Sequence, residues 1–132
     1  AWYHASKHAL EAYSDALRME VKDFGIDVII IEPGAIKTPW GVIVGENLQD
    51  LAQDSAYQEM TEKQAKFLLK HYTKNPFLST PKRVAECIYQ AVVASKPKTR
   101  YLVGFGSKTI VLIKSILPDR VFDSMVKRLM KW

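Results

Sequence analysis

The stretch Ile26-Asp27-Val28-Ile29-Ile30-Ile31-Glu32-Pro33-Gly34 restricts the fold more than any other part of the 132-residue chain. Val28 to Ile31 is a run of β-branched residues, stiff at Cβ and favoured on a pleated surface. Its shortness and the Gly25 before it predict a strand buried on both faces, as in a parallel sheet. Glu32-Pro33-Gly34 ends the strand, because proline lacks a ladder donor and glycine permits a sharp turn. Upstream, Leu10, Tyr13, Leu17 and Phe24 recur at helical spacing, with Met19 and Val21 flanking that face. Glu11, Asp15, Arg18, Glu20 and Lys22 supply its wet side, and Gly25 accepts the left-handed conformation that closes a helix. A helix followed by a buried strand is half of a crossover unit in an α/β sheet.

The helix opens on Trp2-Tyr3-His4-Ala5-Ser6-Lys7. Tyr3 and Lys7 stand four residues apart, about one turn, and so share a face. A cation beside a phenol favours its phenolate, which lets a tyrosine give or take a proton. By itself the spacing favours the plainer reading, an amphipathic helix with an exposed Lys and a half-buried Tyr.

The neighbours decide between these readings. Tyr3-His4-Ala5-Ser6-Lys7, a helix, the 26–31 strand, Pro33-Gly34 and then Thr38 together resemble the short-chain dehydrogenase/reductase family. The resemblance covers essentially the whole chain. It implies an α/β fold: the C-terminal half of a doubly wound, Rossmann-type parallel sheet, with a helical lid and C-terminal helices. Residues 1–132 would then be the C-terminal part of a single oxidoreductase domain, its N-terminal dinucleotide-binding half and a catalytic serine lying upstream. Half a domain leaves apolar strand and helix faces uncovered.

The same resemblance assigns roles. Tyr3 is the general acid/base at a carbonyl or alcohol oxygen, and Lys7 holds the nicotinamide ribose and activates Tyr3. The Ile36 backbone meets the carboxamide, the Thr38 hydroxyl bonds near the carboxamide or pyrophosphate, and Pro33 and Gly34 shape the approach. The implied cofactor is NAD(P)(H), NADP favoured. The implied substrate is a small, lipophilic alcohol or ketone. A homo-oligomer and a cytoplasmic location complete the expectation. The alternatives are a dinucleotide-binding relative without turnover and an inactive truncated product.

Trp40 to about Thr80 matches the family's substrate-covering lid. Gly41 and Gly45 read as hinges, and Asn47 to Tyr72 as mostly helical until Asn75-Pro76 breaks the pattern. Trp40, Val42 and Ile43 fit an apolar lining or a core equally. Thr80-Pro81 opens the next helix as N-cap and first residue, with Val84, Cys87, Ile88, Ala91 and Val92 on its apolar face and Pro97 at its end. Cys87 there reads as core. Arg100 to Gly104 is a last short strand. Gly104-Phe105-Gly106 imitates a phosphate loop, but Thr109 stands where the third glycine belongs. Ser107 caps a helix through about Leu117, and Pro118-Asp119 starts another. That one carries Val121, Phe122, Met125, Val126 and Leu129 on one face, with Arg120, Lys127, Arg128 and Lys131 elsewhere. The long lid, Lys96 to Tyr101 and these two helices look like the branch that includes steroid and retinol dehydrogenases.

Composition excludes some functions. Net charge is +5, with Lys and Arg spread along the chain and no basic stripe interleaved with aromatics, so nucleic acid is not a partner. Cys87 is the lone cysteine, which excludes an internal disulfide. His71 lacks partners at metal-ligand spacing, so no metal is expected. No apolar run reaches the ~18 residues of a span, since Lys114 cuts Ile110-Val111-Leu112-Ile113. The basic amphipathic last helix leaves a membrane surface as a lesser alternative to packing on the protein itself.

Overall fold

A computed structural model describes residues 1–130; Lys131, expected on the last helix, lies outside them. The chain is a mostly helical α/β structure around a two-stranded parallel sheet. Helix α1 spans Trp2–Glu20. Its last turn tightens into a 3-10 turn, Lys22–Phe24, and Gly25 closes it at φ 72°, in the left-handed role the sequence predicts.

Strand β1 is Ile30–Pro33 and strand β2 is Arg100–Val103, with Ile30 opposite Arg100 and Pro33 opposite Val103. The strand thus begins two residues later than the β-branched run and includes Pro33. Pairing sets its limits: the ladder opens where the Ile30 N–H meets the Thr99 carbonyl at 2.9 Å and closes where the Gly34 N–H meets Val103 at 2.8 Å. Successive residues of a strand point their amides to opposite edges. Pro33 has the parity that faces away from β2, so its missing N–H costs no bond of this ladder. The expected two-sided burial is not found among the described residues: Ile30, Ile31 and Glu32 are half-buried, because no layer of those residues covers both faces of the strand.

Between the strands come α2 (Trp40–Leu51), α3 (Gln58–Lys74) and α4 (Pro81–Val93). After β2 follow α5 (Ser107–Ile116) and α6 (Asp119–Met130). Gly41 and Gly45 are not hinges. Both lie inside α2, buried against α3. A Cβ at Gly41 would stand 2.1 Å from the Tyr72 ring, and one at Gly45 would stand 3.2 Å from Leu69 Cγ. The glycines let two helix backbones approach closely, and Ala52, Thr61 and Ala65 complete this small-residue seam. Thr80 and Pro81 take their expected positions, but no side-chain bond caps α4, which ends at Val93, before Pro97. The cap of α5 is Gly106 rather than Ser107; the Ser107 hydroxyl instead donates to the Gly104 carbonyl at 3.0 Å.

Helix α1 buries no residue, and Leu10, Tyr13 and Phe24 stay exposed. Its side-chain bonds to the sheet, among the described residues, all run through Arg100 at the head of β2. Arg100 reaches Glu11 at 2.9 Å and Asp15 at 2.7 Å on α1, and Glu32 at 2.5 Å on β1. Arg18 also bonds Asp15 at 2.7 Å. The carboxylates hold the Arg100 guanidinium still more firmly protonated than usual, chiefly through the Glu32 bond and then the Glu11 bond. The Asp15 carboxyl is held below its ordinary range, first by the Arg18 bond and then by the Arg100 bond.

Two predictions follow from this packing. Gly41→Ala places a methyl inside an aromatic ring that cannot yield, and should destabilise the full-length protein by about 1–3 kcal/mol in urea denaturation. Gly45→Ala faces a flexible leucine end, so the gain in helix propensity of up to ~1 kcal/mol should offset the crowding and leave stability nearly unchanged. Equal losses at both positions would contradict the seam. For the Arg100 cluster, Asp15 has a depressed folded-state pKa. It therefore contributes stability that is present above the unfolded value near ~3.9 and lost as pH falls through the folded value. Arg100→Gln should lower the melting temperature at pH 7 and make the acid-side decline shallower than in the parent. Parallel melting curves from pH 6 to 2.5 would contradict the role given to Arg100.

Candidate active site

Tyr3 and Lys7 stand in the first two turns of α1, on the face turned toward the end of β1. The Lys7 Nζ lies 5.6 Å from the centre of the Tyr3 ring, and Lys7 makes no ion pair among the described residues. Tyr3 remains half-exposed, with the Trp40 ring 5.8 Å away on one side and the His4 ring 5.6 Å away on another. All six residues singled out by sequence line one groove of about 680 Å³: Tyr3, Lys7, Pro33, Gly34, Ile36 and Thr38. Trp40 and Tyr72 line it too, and Glu11 and Glu32 of the Arg100 cluster form its lower end.

The loop after β1 is held by backbone bonds on both sides. The Ala35 N–H donates to the Phe105 carbonyl at 3.2 Å, the Lys37 N–H donates to Ser79 at 2.8 Å, and the Ser79 N–H donates to Ala35 at 3.1 Å. The bonds to Ser79 are made by the residues flanking Ile36. Its own N–H and C=O therefore take part in no backbone bond among the described residues, and Ile36 lines the groove. The half-buried Thr38 likewise keeps its hydroxyl free of protein partners among those residues. Gly34 is needed for a different reason from the one sequence offered: a Cβ there would stand 2.3 Å from the Phe105 carbonyl oxygen. The glycine lets the loop close against the exit of β2.

Sequence reasoning missed two residues. Ser79 is buried and pins the loop with its backbone, while its hydroxyl accepts the Phe105 N–H at 2.9 Å. A lone serine before a helix carries no signal of such a task. Tyr72 was legible as a helical residue only. Its ring lies 5.8 Å from that of Trp40, and burial, with the nearby Tyr3 second, pushes its hydroxyl above the ordinary tyrosine value. No cluster of three His, Cys, Asp or Glu that could hold a metal occurs among the described residues. His71 stacks on Phe67 at 5.8 Å and contacts the Asn75 amide at 3.3 Å. A second groove, about 560 Å³ between α3 and α6, is lined by Lys63, Lys66, Lys70 and Lys74 over Phe67 and Leu129. Two of those lysines are engaged by Glu59 and Glu62.

The groove between α1 and the loop after β1 presents an ammonium from Lys7, a hydroxyl from Thr38 and a backbone amide from Ile36, none of them paired among the described residues. No helix among the described residues is long and apolar enough to cross a membrane.

The chain is similar in sequence to known proteins. The family model for short chain dehydrogenase matches residues 1–49, which hold Tyr3, Lys7 and the whole loop through Thr38. A Helicobacter pylori protein named "Probable short-chain type dehydrogenase/reductase VdlC" is 39% identical over 95% of this chain and 44% of its own length. The 17-beta-hydroxysteroid dehydrogenase type 6 of Mus musculus is 31% identical over 95% of this chain and 42% of its own. An NADPH-dependent 3-dehydrocapnine reductase of Ornithobacterium rhinotracheale is 35% identical over 93% and 42%. The chain spans less than half the length of each. Along nearly its whole length the chain is similar to short-chain dehydrogenases/reductases, matching a segment of each.

Proposed function

We propose that the full-length protein is a nicotinamide-dinucleotide-dependent oxidoreductase that interconverts a lipophilic alcohol and its ketone, with Tyr3 as general acid/base. The observation that carries this reading is the meeting of Tyr3, Lys7, Ile36 and Thr38 in one groove, from two separate elements. When bound, the dinucleotide supplies or accepts the hydride. Lys7 holds the ribose hydroxyls and keeps a positive charge beside the phenol. Tyr3 donates its proton to the carbonyl oxygen in reduction and takes the alcohol proton in oxidation. The Ile36 backbone meets the carboxamide, the Thr38 hydroxyl bonds beside it, and Pro33 and Gly34 hold the loop that presents them.

The fold reading follows. The chain is the C-terminal part of a doubly wound Rossmann-type domain, β1 and β2 are neighbouring strands of its sheet, and α2 with α3 forms the lid. The parallel pairing, the long helical crossover and the unpaired outer edge of β1 support it. NADP(H) is favoured over NAD(H), in keeping with the NADPH-dependent relative. Apolar groove walls agree with a lipophilic substrate, and the uncovered face of α1 with burial by the rest of the protein and a second copy of it.

Substitutions in the full-length enzyme test this. Tyr3→Phe should lower turnover per folded, dinucleotide-bound enzyme by about 10²–10⁴-fold while dinucleotide affinity holds. Lys7→Ala should lower both, and Lys7→Arg should fall between, because its fork differs in shape and reach from an ammonium. Near-normal turnover in Tyr3→Phe would sink the mechanism and favour a different base. Dinucleotide binding with no turnover in the parent would favour a non-catalytic relative.

A further inference from the structure

Three rings follow one another along the groove. Tyr3 and Trp40 have centroids 5.8 Å apart and planes tilted by 39°; Trp40 and Tyr72 are 5.8 Å apart and tilted by 60°. Tyr3 and Trp40 are 51% and 42% exposed, so both offer ring surface to a bound molecule. Tyr72 is half-buried and comes from α3, the far helix of the lid. Its seat is the notch at Gly41, where a Cβ would fall 2.1 Å from the ring atoms Cγ and Cδ2. The ring thus occupies the space a side chain of α2 would fill. The close approach of α2 and α3 holds that notch beside the groove. Trp40 and Gly41 are consecutive residues, so the ring of one helix and the notch for the other stand side by side at the groove. Burial keeps the Tyr72 hydroxyl neutral, and a phenolate there would face Tyr3 as well. The wall is therefore uncharged and aromatic.

We propose that Tyr72 is a specificity-determining residue: seated in the notch at Gly41 and paired with Trp40, it forms an aromatic wall beside Tyr3 that selects a flat, unsaturated alcohol or ketone over a saturated chain of the same size. This rests on the reading of Tyr3 as the acid/base and adds the substrate class. The physical reason is that an aromatic face attracts a flat π surface by offset stacking in addition to buried area, whereas a saturated chain gains the area alone. Differences of that kind are worth about ten-fold in discrimination.

The experiment uses the full-length enzyme with saturating dinucleotide and two probes of equal carbon number, 1-(2-naphthyl)ethanol and 2-dodecanol. The parent should favour the naphthyl alcohol in kcat/KM. Tyr72→Ala should reduce that preference about ten-fold, and Tyr72→Leu, which keeps bulk without a π face, should do the same. Tyr72→Phe should keep the ratio. Gly41→Ala should reduce it, and Gly41→Ala combined with Tyr72→Ala should be no worse than Tyr72→Ala alone, because the ring that clashed is gone. Affinity for 2-acetonaphthone, read by tryptophan quenching, should weaken by a similar factor in Tyr72→Ala and Tyr72→Leu. Because affinity needs no turnover, the two readings fail separately. Full turnover in Tyr3→Phe with the affinity loss intact removes the acid/base role and leaves the wall. An unmoved ratio and affinity in Tyr72→Ala and Tyr72→Leu, or a double variant whose loss is the product of the single losses, overturns the wall.

Discussion

The placement of the Tyr-Lys helix depends on one guanidinium. Tyr3, Lys7, Glu11 and Asp15 recur at every fourth position and so form one stripe along α1. The lower two are the residues that Arg100 grips, while the same side chain also grips Glu32 on the sheet. A planar fork that binds partners on two elements fixes rotation as well as distance. Turning α1 by one residue would break both Arg100 bonds and carry Tyr3 and Lys7 out of the groove together. Tyr3 sits about 12 Å up the stripe from Glu11 at the usual helical rise, which brings it level with the loop that leaves β1.

The opposite wall is held by close backbone approach. Gly34 lets the loop meet Phe105, Ser79 ties that loop to the segment before α4, and Gly41 lets α3 press against α2. Each device removes or buries a small side chain so that one segment touches another, which makes α2 and α3 a packed pair rather than a hinged flap. The two walls therefore have different physics. The α1 side is electrostatic and carries few buried atoms, so pH and salt reach it. The α2–α3 side is steric and responds to side-chain volume.

What the sequence revealed divides along the same line. The Tyr3–Lys7 spacing, the Gly25 terminator, the strand and the Thr80-Pro81 start are local, and each was legible within a few residues. The limits of β1 were not, because Val28 and Ile29 have strand character but no partner beside them, whereas Pro33 has one. Gly41 and Gly45 read as hinges because a glycine's use depends on what approaches it, and Tyr72 lies some thirty residues away. Arg100 looked like the first residue of a strand; its three carboxylates come from positions 11, 15 and 32. Ser79 and Tyr72 act through contacts that no spacing announces. The six residues that line the groove, Tyr3 and Lys7 among them, could be named because they form a pattern along the chain, and the residues that pack and bond around them could not, because their pattern exists in space alone.

The central claim is that this groove positions a hydride transfer for which Tyr3 moves the proton. The most direct measurement follows the hydride itself. The full-length protein would be given a secondary alcohol with deuterium at the carbinol carbon and the oxidised dinucleotide, and the reduced dinucleotide would be examined by mass spectrometry. The account predicts one deuterium carried onto the nicotinamide ring and ketone formed in equal amount. Bound dinucleotide that stays oxidised, or reduced dinucleotide that carries no deuterium, would contradict it.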